Sequence, residues 1–284
     1  MWANRDILRT AIAIIVSLTG WGVFRLLFPA LDYFTPEFLS NQFERSWIVL
    51  HEVRKPAGLL YLTLALILLA VFFNAIQHRW PGKGRIKGLI FGIWFGGVWS
   101  FGFLTGWAFL ETTLRSEIIN IVVDIIPLAI AGWLIGLAVG RDIPKSEIWM
   151  WKPWLAVLLV AFGFIVVHSL GGMLLAGVFD KMAVFLLIPT TLEQIILLFA
   201  LGLWVGGMYI MLRRWLPFNK IRVRAAFFAF GIFGMCWTWF NLFFVIEFTG
   251  VIPVLLLLGL IGALGVFAGA LVYEEFAVGR RQIE

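Results

Sequence analysis

"HRWPGKGRIK", His78 to Lys87, and "RRWLPFNKIR", Arg213 to Arg222, stand 135 positions apart in a chain that is otherwise oily. Each is a short basic connector carrying one Trp and one Pro. Their recurrence suggests that the chain is two copies of one unit, and the apolar runs on either side say what kind of unit it is.

Of 284 residues, 62% are hydrophobic and only 13% charged, about half the charged share of a soluble domain. A bilayer is therefore the expected solvent. The net charge of +6 would ordinarily raise nucleic acid as a partner. Here the excess is confined to loops between apolar runs, which is the mark of membrane orientation, so nucleic acid is set aside. Cys236 is the sole cysteine, which excludes an internal disulfide and a cysteine-based metal site. The first apolar stretch, Ile7 to Pro29, is too long for a signal core and reads as a retained span.

Crossing the hydrocarbon takes about 20 apolar residues in a helix. Eight runs have that length, at roughly 8 to 29, 56 to 77, 88 to 110, 119 to 140, 153 to 178, 189 to 212, 225 to 247 and 251 to 273. The basic residues test this division independently. Sixteen Lys and Arg fall in the amino-terminal segment, the loops after spans 2, 4 and 6, and the tail, whereas five (Arg45, Arg54, Lys55, Arg115 and Lys181) fall in the other loops. Such strict alternation supports the count of eight, with both termini cytoplasmic in a multi-pass plasma-membrane protein.

Span-by-span matching extends the repeat. Trp80 and Ile86 align with Trp215 and Ile221; Leu26 to Asp32, "LLFPALD", aligns with Leu174 to Asp180, "LLAGVFD"; Pro127 and "LIG" at Leu134 to Gly136 align with Pro253 and "LIG" at Leu260 to Gly262. The expected architecture is all-α, with residues 1–146 and 147–284 forming two four-helix repeats. Because each has an even number of spans, the copies share one orientation. The first repeat carries an insertion after span 1. There Thr35 and Pro36 form a cap and first turn, and Phe38, Leu39, Phe43, Trp47 and Leu50 recur at helical spacing. This predicts an amphipathic helix over about 35–54, lying flat at the outer interface or packed on the protein as a lid.

Glycines at every fourth position, Gly88, Gly92 and Gly96 in span 3 and Gly132, Gly136 and Gly140 in span 4, read as faces for close helix packing, as do Gly259, Gly262, Gly265 and Gly269 in span 8.

Ten of the sixteen acidic residues fall outside or in the outer halves of the spans, so a cation approaching from outside would meet a favourable potential. Within the spans, ionisable groups are rare and each is a candidate site. Asp124 stands four residues after Asn120 and just before Pro127; Glu193 lies in "PTTLEQ" beside Thr190, Thr191 and Gln194; Arg25 is in the outer third of span 1; His168 precedes Gly171 and Gly172; Glu111 and Glu247 close spans 3 and 7. Each has a plainer alternative. A carboxylate near a span end reaches water unaided, Arg25 and Asp124 form a structural ion pair between helices, and a lone histidine is a hydrogen-bonded helix contact. No zinc-protease, serine-hydrolase or phosphate-loop motif is present, and three histidines at different depths do not make a bis-histidine haem site.

The expected function is transport: a pocket open to the outside, in which Asp124 and Glu193 attract a small cationic or polar solute, Arg25 balances charge and His168 carries a proton, with Asn120, Glu111 and Glu247 around them. The competing expectation is a non-catalytic subunit or assembly factor of a larger membrane complex; a monomer or homo-oligomer goes with the transport reading. Catalysis is not expected, and no cofactor is named by any motif.

Overall fold

A computed structural model describes residues 4–27, 44–110, 114–144, 152–176, 191–250 and 252–281. Among them the long elements are helices, and eight are long and apolar enough to cross a membrane. These are α1 (Asn4–Leu27), α3 (Arg54–Gln77), α4 (Gly84–Leu110), α5 (Leu114–Val139), α6 (Pro153–Ala176), α7 (Leu192–Leu212), the composite seventh span and α11 (Ile252–Arg281). The seventh is built from α8 (Ile221–Ala226), a π-helical segment (Phe227–Gly234) and α9 (Met235–Asn241). Single turns α2 (Trp47–Leu50) and α10 (Phe244–Glu247) complete the order. The chain is thus an all-helical integral membrane protein of the multi-pass kind.

Helix ends overrun the apolar runs. α5 begins at Leu114 and α11 continues to Arg281, because Glu, Arg and Lys are good helix formers and a helix leaving the hydrocarbon has no reason to stop at its edge.

Two compact units divide the chain: residues 1–146 with 243–250, and residues 147–242 with 251–284. In unit 1, α5 packs on α4 and α1, and α3 lies against α1, α4 and α5. The glycine faces account for the α4–α5 seam. A Cβ on Gly84 would lie 2.5 Å from the Gly140 carbonyl carbon, one on Gly136 2.6 Å from the Gly84 oxygen, and one on Gly92 2.5 Å from the Leu128 oxygen. As the number rises on one helix it falls on the other, so the pair is antiparallel with backbone against backbone. Where lipid replaces water, such close van der Waals contact supplies association energy that the hydrophobic effect does not.

The 243–250 segment folds into unit 1 as part of a clip. Arg45 and Phe248 form an isolated β-bridge, Thr249 N–H donates to the Glu44 carbonyl at 3.0 Å, and Ser46 Oγ donates to the Ile246 carbonyl. The Ser46 hydroxyl also caps α2 by accepting Val49 N–H at 3.2 Å. Residues 35–43 of the expected amphipathic helix lie outside the described residues. From 44 to 53 the chain makes only one turn of helix. Arg45 is held extended by its bridge, and Glu52 takes a left-handed φ of 58°, which ends the turn before α3 starts.

Unit 2 is organised around α6, which packs on both α11 and α7. Cβ atoms built on Gly163 and Gly265 would each strike the opposing glycine's carbonyl oxygen, at 2.5 and 2.7 Å, and one on Gly206 would lie 2.8 Å from Val157 Cα. The π segment was not expected from sequence. It turns Phe228, Ala229, Ile232 and Phe233 into the interior together, and brings the Ala229 carbonyl within 2.8 Å of where a Gly234 Cβ would stand.

Candidate functional site

The polar face of α5 is the first candidate. Glu117, Asn120 and Asp124 are spaced three and four apart, which sets them on one side of the helix, and all three are buried, Asp124 at 6% exposure. From α1, the Trp21 indole N–H donates to Asp124 Oδ1 at 3.3 Å. Pro127 stands one turn further inside α5; lacking an N–H, it leaves the Val123 carbonyl without its helical donor, so a second acceptor stands next to the carboxylate. Removing a carboxylate from water costs several kcal/mol unless donors surround it. This face is where unit 1 bears that cost.

Arg25 lies on α1, one turn after Trp21, and Glu247 in α10; the side chains of both, and Glu111 altogether, are outside the described residues. The other candidates belong to unit 2. Glu193 is exposed in the first turn of α7. Its neighbours are engaged in capping the start of the helix: Thr191 Oγ1 accepts Gln194 N–H at 3.3 Å and Gln194 Oε1 accepts Thr191 N–H at 3.1 Å, a reciprocal capping box. His168 on α6 is buried at 2% exposure, tilted against Phe164 with ring centroids 5.6 Å apart, and neither ring nitrogen has a hydrogen-bond partner among the described residues. Asp124 and Asn120 are therefore brought together within unit 1, while His168 and Glu193 sit on separate helices of unit 2. Among the described residues no three His, Cys, Asp or Glu side chains group as metal ligands.

Two further polar clusters sit where the Trp-bearing connectors meet the helices. In unit 1 the Lys87 ammonium, 2% exposed, donates to the carbonyls of Gln77, Trp80 and Arg141 at 2.8, 2.7 and 2.7 Å. Gln77 Oε1 accepts Arg141 N–H at 2.9 Å, and Asp142 Oδ1 accepts Gly84 N–H at 2.7 Å. A single cation thus satisfies carbonyls at the ends of two helices, α3 and α5, which have no helical donors of their own. In unit 2 the buried Arg213 guanidinium lies 3.3 Å from Glu274 Oε1 and 4.8 Å over the Tyr273 ring, and Tyr209 Oη donates to the same carboxylate oxygen at 2.8 Å.

Sequence reasoning counted Lys87 and Arg213 as loop charges and gave Trp21, Tyr209 and Glu274 no role. The four-residue spacing of Asn120 and Asp124 was readable in advance; that Glu117 joins their face, and which helix ends meet, was not read.

With this geometry in view, the chain can be compared with known proteins: no family model, no curated protein and no solved structure matches it. The fold defines an integral membrane protein with eight candidate spans, and its function rests on its own residues.

Proposed function

We propose that the protein is a membrane transporter or channel-like protein for a small cationic or polar solute, with the polar face of α5 as its binding surface and both termini in the cytoplasm. The observation that carries this reading is Asp124, a carboxylate buried on a span-length helix with Asn120 and Glu117 on the same face and the Trp21 N–H as one donor. Buried ionisable groups at membrane depth are costly and commonly line solute or ion paths. Arg25, one turn beyond Trp21 on α1, supplies a compensating charge when the solute is absent.

Flux into proteoliposomes of Na⁺, K⁺, H⁺ and a small organic cation tests the reading. Asp124→Asn is expected to lower flux of the transported species by about tenfold or more, the equivalent of losing one charge-assisted contact, and Glu117→Gln by less. Unchanged flux in a folded Asp124→Asn protein removes α5 as the site.

A second reading, a non-catalytic subunit or assembly factor of a larger membrane complex, is favoured by α1. This helix exposes Ile7, Leu8, Ile12, Ile15 and Val16, and among the described residues nothing lies within 4 Å of where a Cβ on Gly20 or Gly22 would stand, which leaves room for another helix. Purification in mild detergent separates the two: a partner at fixed stoichiometry supports the subunit, and a lone chain supports the transporter.

A further inference from the structure

The connector of unit 1 leaves cations over after its own needs are met. Its two chain segments are zipped together, Gly82 N–H donating to the Ile143 carbonyl at 2.8 Å and Ile143 N–H returning to Gly82 at 3.1 Å. Gly82 reaches this geometry at φ 115°, a backbone region in which a side chain would be strained. Lys83 and Arg85 flank Gly84, and Arg141 flanks Asp142. The bond from Gly84 N–H to Asp142 therefore places all three cations on one corner.

All three are exposed, and among the described residues none forms an ion pair. Asp142 already accepts Gly84 N–H, Lys87 is enclosed by carbonyls, and Asp6 at the start of α1 acts on His78. His78 stands beside these charges: its pKa is held below the ordinary histidine value first by partial burial and then by the positive charges of Arg141 and Lys87, against an opposing pull from Asp6.

α3 and α5 end at this corner and α4 begins there, each long enough to span the hydrocarbon. The cations therefore stand at headgroup depth, beside an acyl-facing helix surface. We propose that this corner binds the phosphate-bearing headgroup of an anionic phospholipid, with Lys83, Arg85 and Arg141 as its ligands. The occupant follows from two facts: the charge to be met is negative, and a phospholipid alone places its phosphate at this depth while its acyl chains cover the adjoining apolar face. The connector of unit 2 serves as an internal contrast, because there Arg213 is engaged by Glu274 and Arg222 by Glu275. The proposal is independent of the transport reading.

Native mass spectrometry of the full chain, released from detergent with phosphatidylglycerol, cardiolipin or phosphatidylcholine, tests it. The wild type is expected to retain phosphatidylglycerol and cardiolipin in preference to phosphatidylcholine. The triple substitution Lys83→Gln, Arg85→Gln, Arg141→Gln should weaken that retention about tenfold or more. Arg85→Gln alone, a milder change at an exposed position, should weaken it in part, and Lys220→Gln with Arg222→Gln in unit 2 should leave it unchanged. Equal retention by the triple variant and the wild type, or equal retention of phosphatidylcholine, overturns the proposal. Displacement of the lipid by inorganic phosphate at matching concentration overturns it as well, since the site would then be one for free phosphate.

Discussion

The two Trp-bearing connectors look alike in sequence and bury their cations in opposite ways. In unit 1 the buried cation is Lys87, downstream of Trp80 and at the start of α4, and it is met by three backbone carbonyls. The residue 135 positions on is Arg222, which is 77% exposed and pairs with Glu275 at the surface. In unit 2 the buried cation is Arg213, upstream of Trp215 at the end of α7, and it is met by a carboxylate. The residue 135 positions earlier is His78, which is exposed. What recurs is one buried positive charge beside the connector; what differs is its partner, carbonyls at helix ends in unit 1 and a carboxylate in unit 2. A compact ammonium with three rotatable donors suits scattered carbonyls, whereas a planar guanidinium suits a carboxylate and an aromatic face.

That contrast is most severely tested at Lys87. Lys87→Met keeps the aliphatic stem and removes the ammonium, leaving three carbonyls without their donor. Two of the three acceptors, the Gln77 and Trp80 carbonyls, are buried, so at about 1 to 3 kcal/mol for each buried acceptor left unsatisfied the loss should reach roughly 2 to 6 kcal/mol, read as a large drop in Tm in detergent. Lys87→Arg should not restore it, because a flat fork does not reach three divergent acceptors. A Lys87→Met protein that melts with the wild type would show that the ammonium does not hold the corner.

Unit 2 should respond with a different signature. Arg213→Leu or Glu274→Leu alone strands a buried charge and should cost about 3 to 5 kcal/mol, whereas the double substitution should cost far less than the sum of the two. Additive losses would mean the pair is not coupled. No second substitution is expected to rescue Lys87→Met in this way, since its partners are backbone.

Much of the fold was legible because hydrocarbon thickness sets helix length and small residues set helix approach. The eight runs, and the fourfold spacing of Gly88, Gly92, Gly132 and Gly136, needed no more than that. The π segment escaped because "FFAFGIFG" is apolar at every position, so its pattern is the same whatever the helical pitch. The polar networks escaped for a different reason. Lys87 lies three residues into α4 and looks like a loop charge, until the ends of α3 and α5 are known to meet there. Asn120 and Asp124 were legible as one face of one helix, but the buried Glu117 beside them and the Trp21 donor from α1 were not.

The smallest effect belongs to the exposed pair, and it bears on why the two halves of the comparison differ. Arg222 reaches Glu275 Oε1 through Nη2 at 3.1 Å and Nε at 3.4 Å, with both side chains largely in solvent. Arg222→Gln and Glu275→Gln should each change stability by less than about 1 kcal/mol, and the change should shrink further as salt is raised. Lys87 and Arg222 occupy the same place in their connectors, so a small loss at one beside a large loss at the other would trace the difference to burial. A loss at Arg222 as large as that at Lys87 would mean instead that the connector requires a cation at this place whether or not it is enclosed.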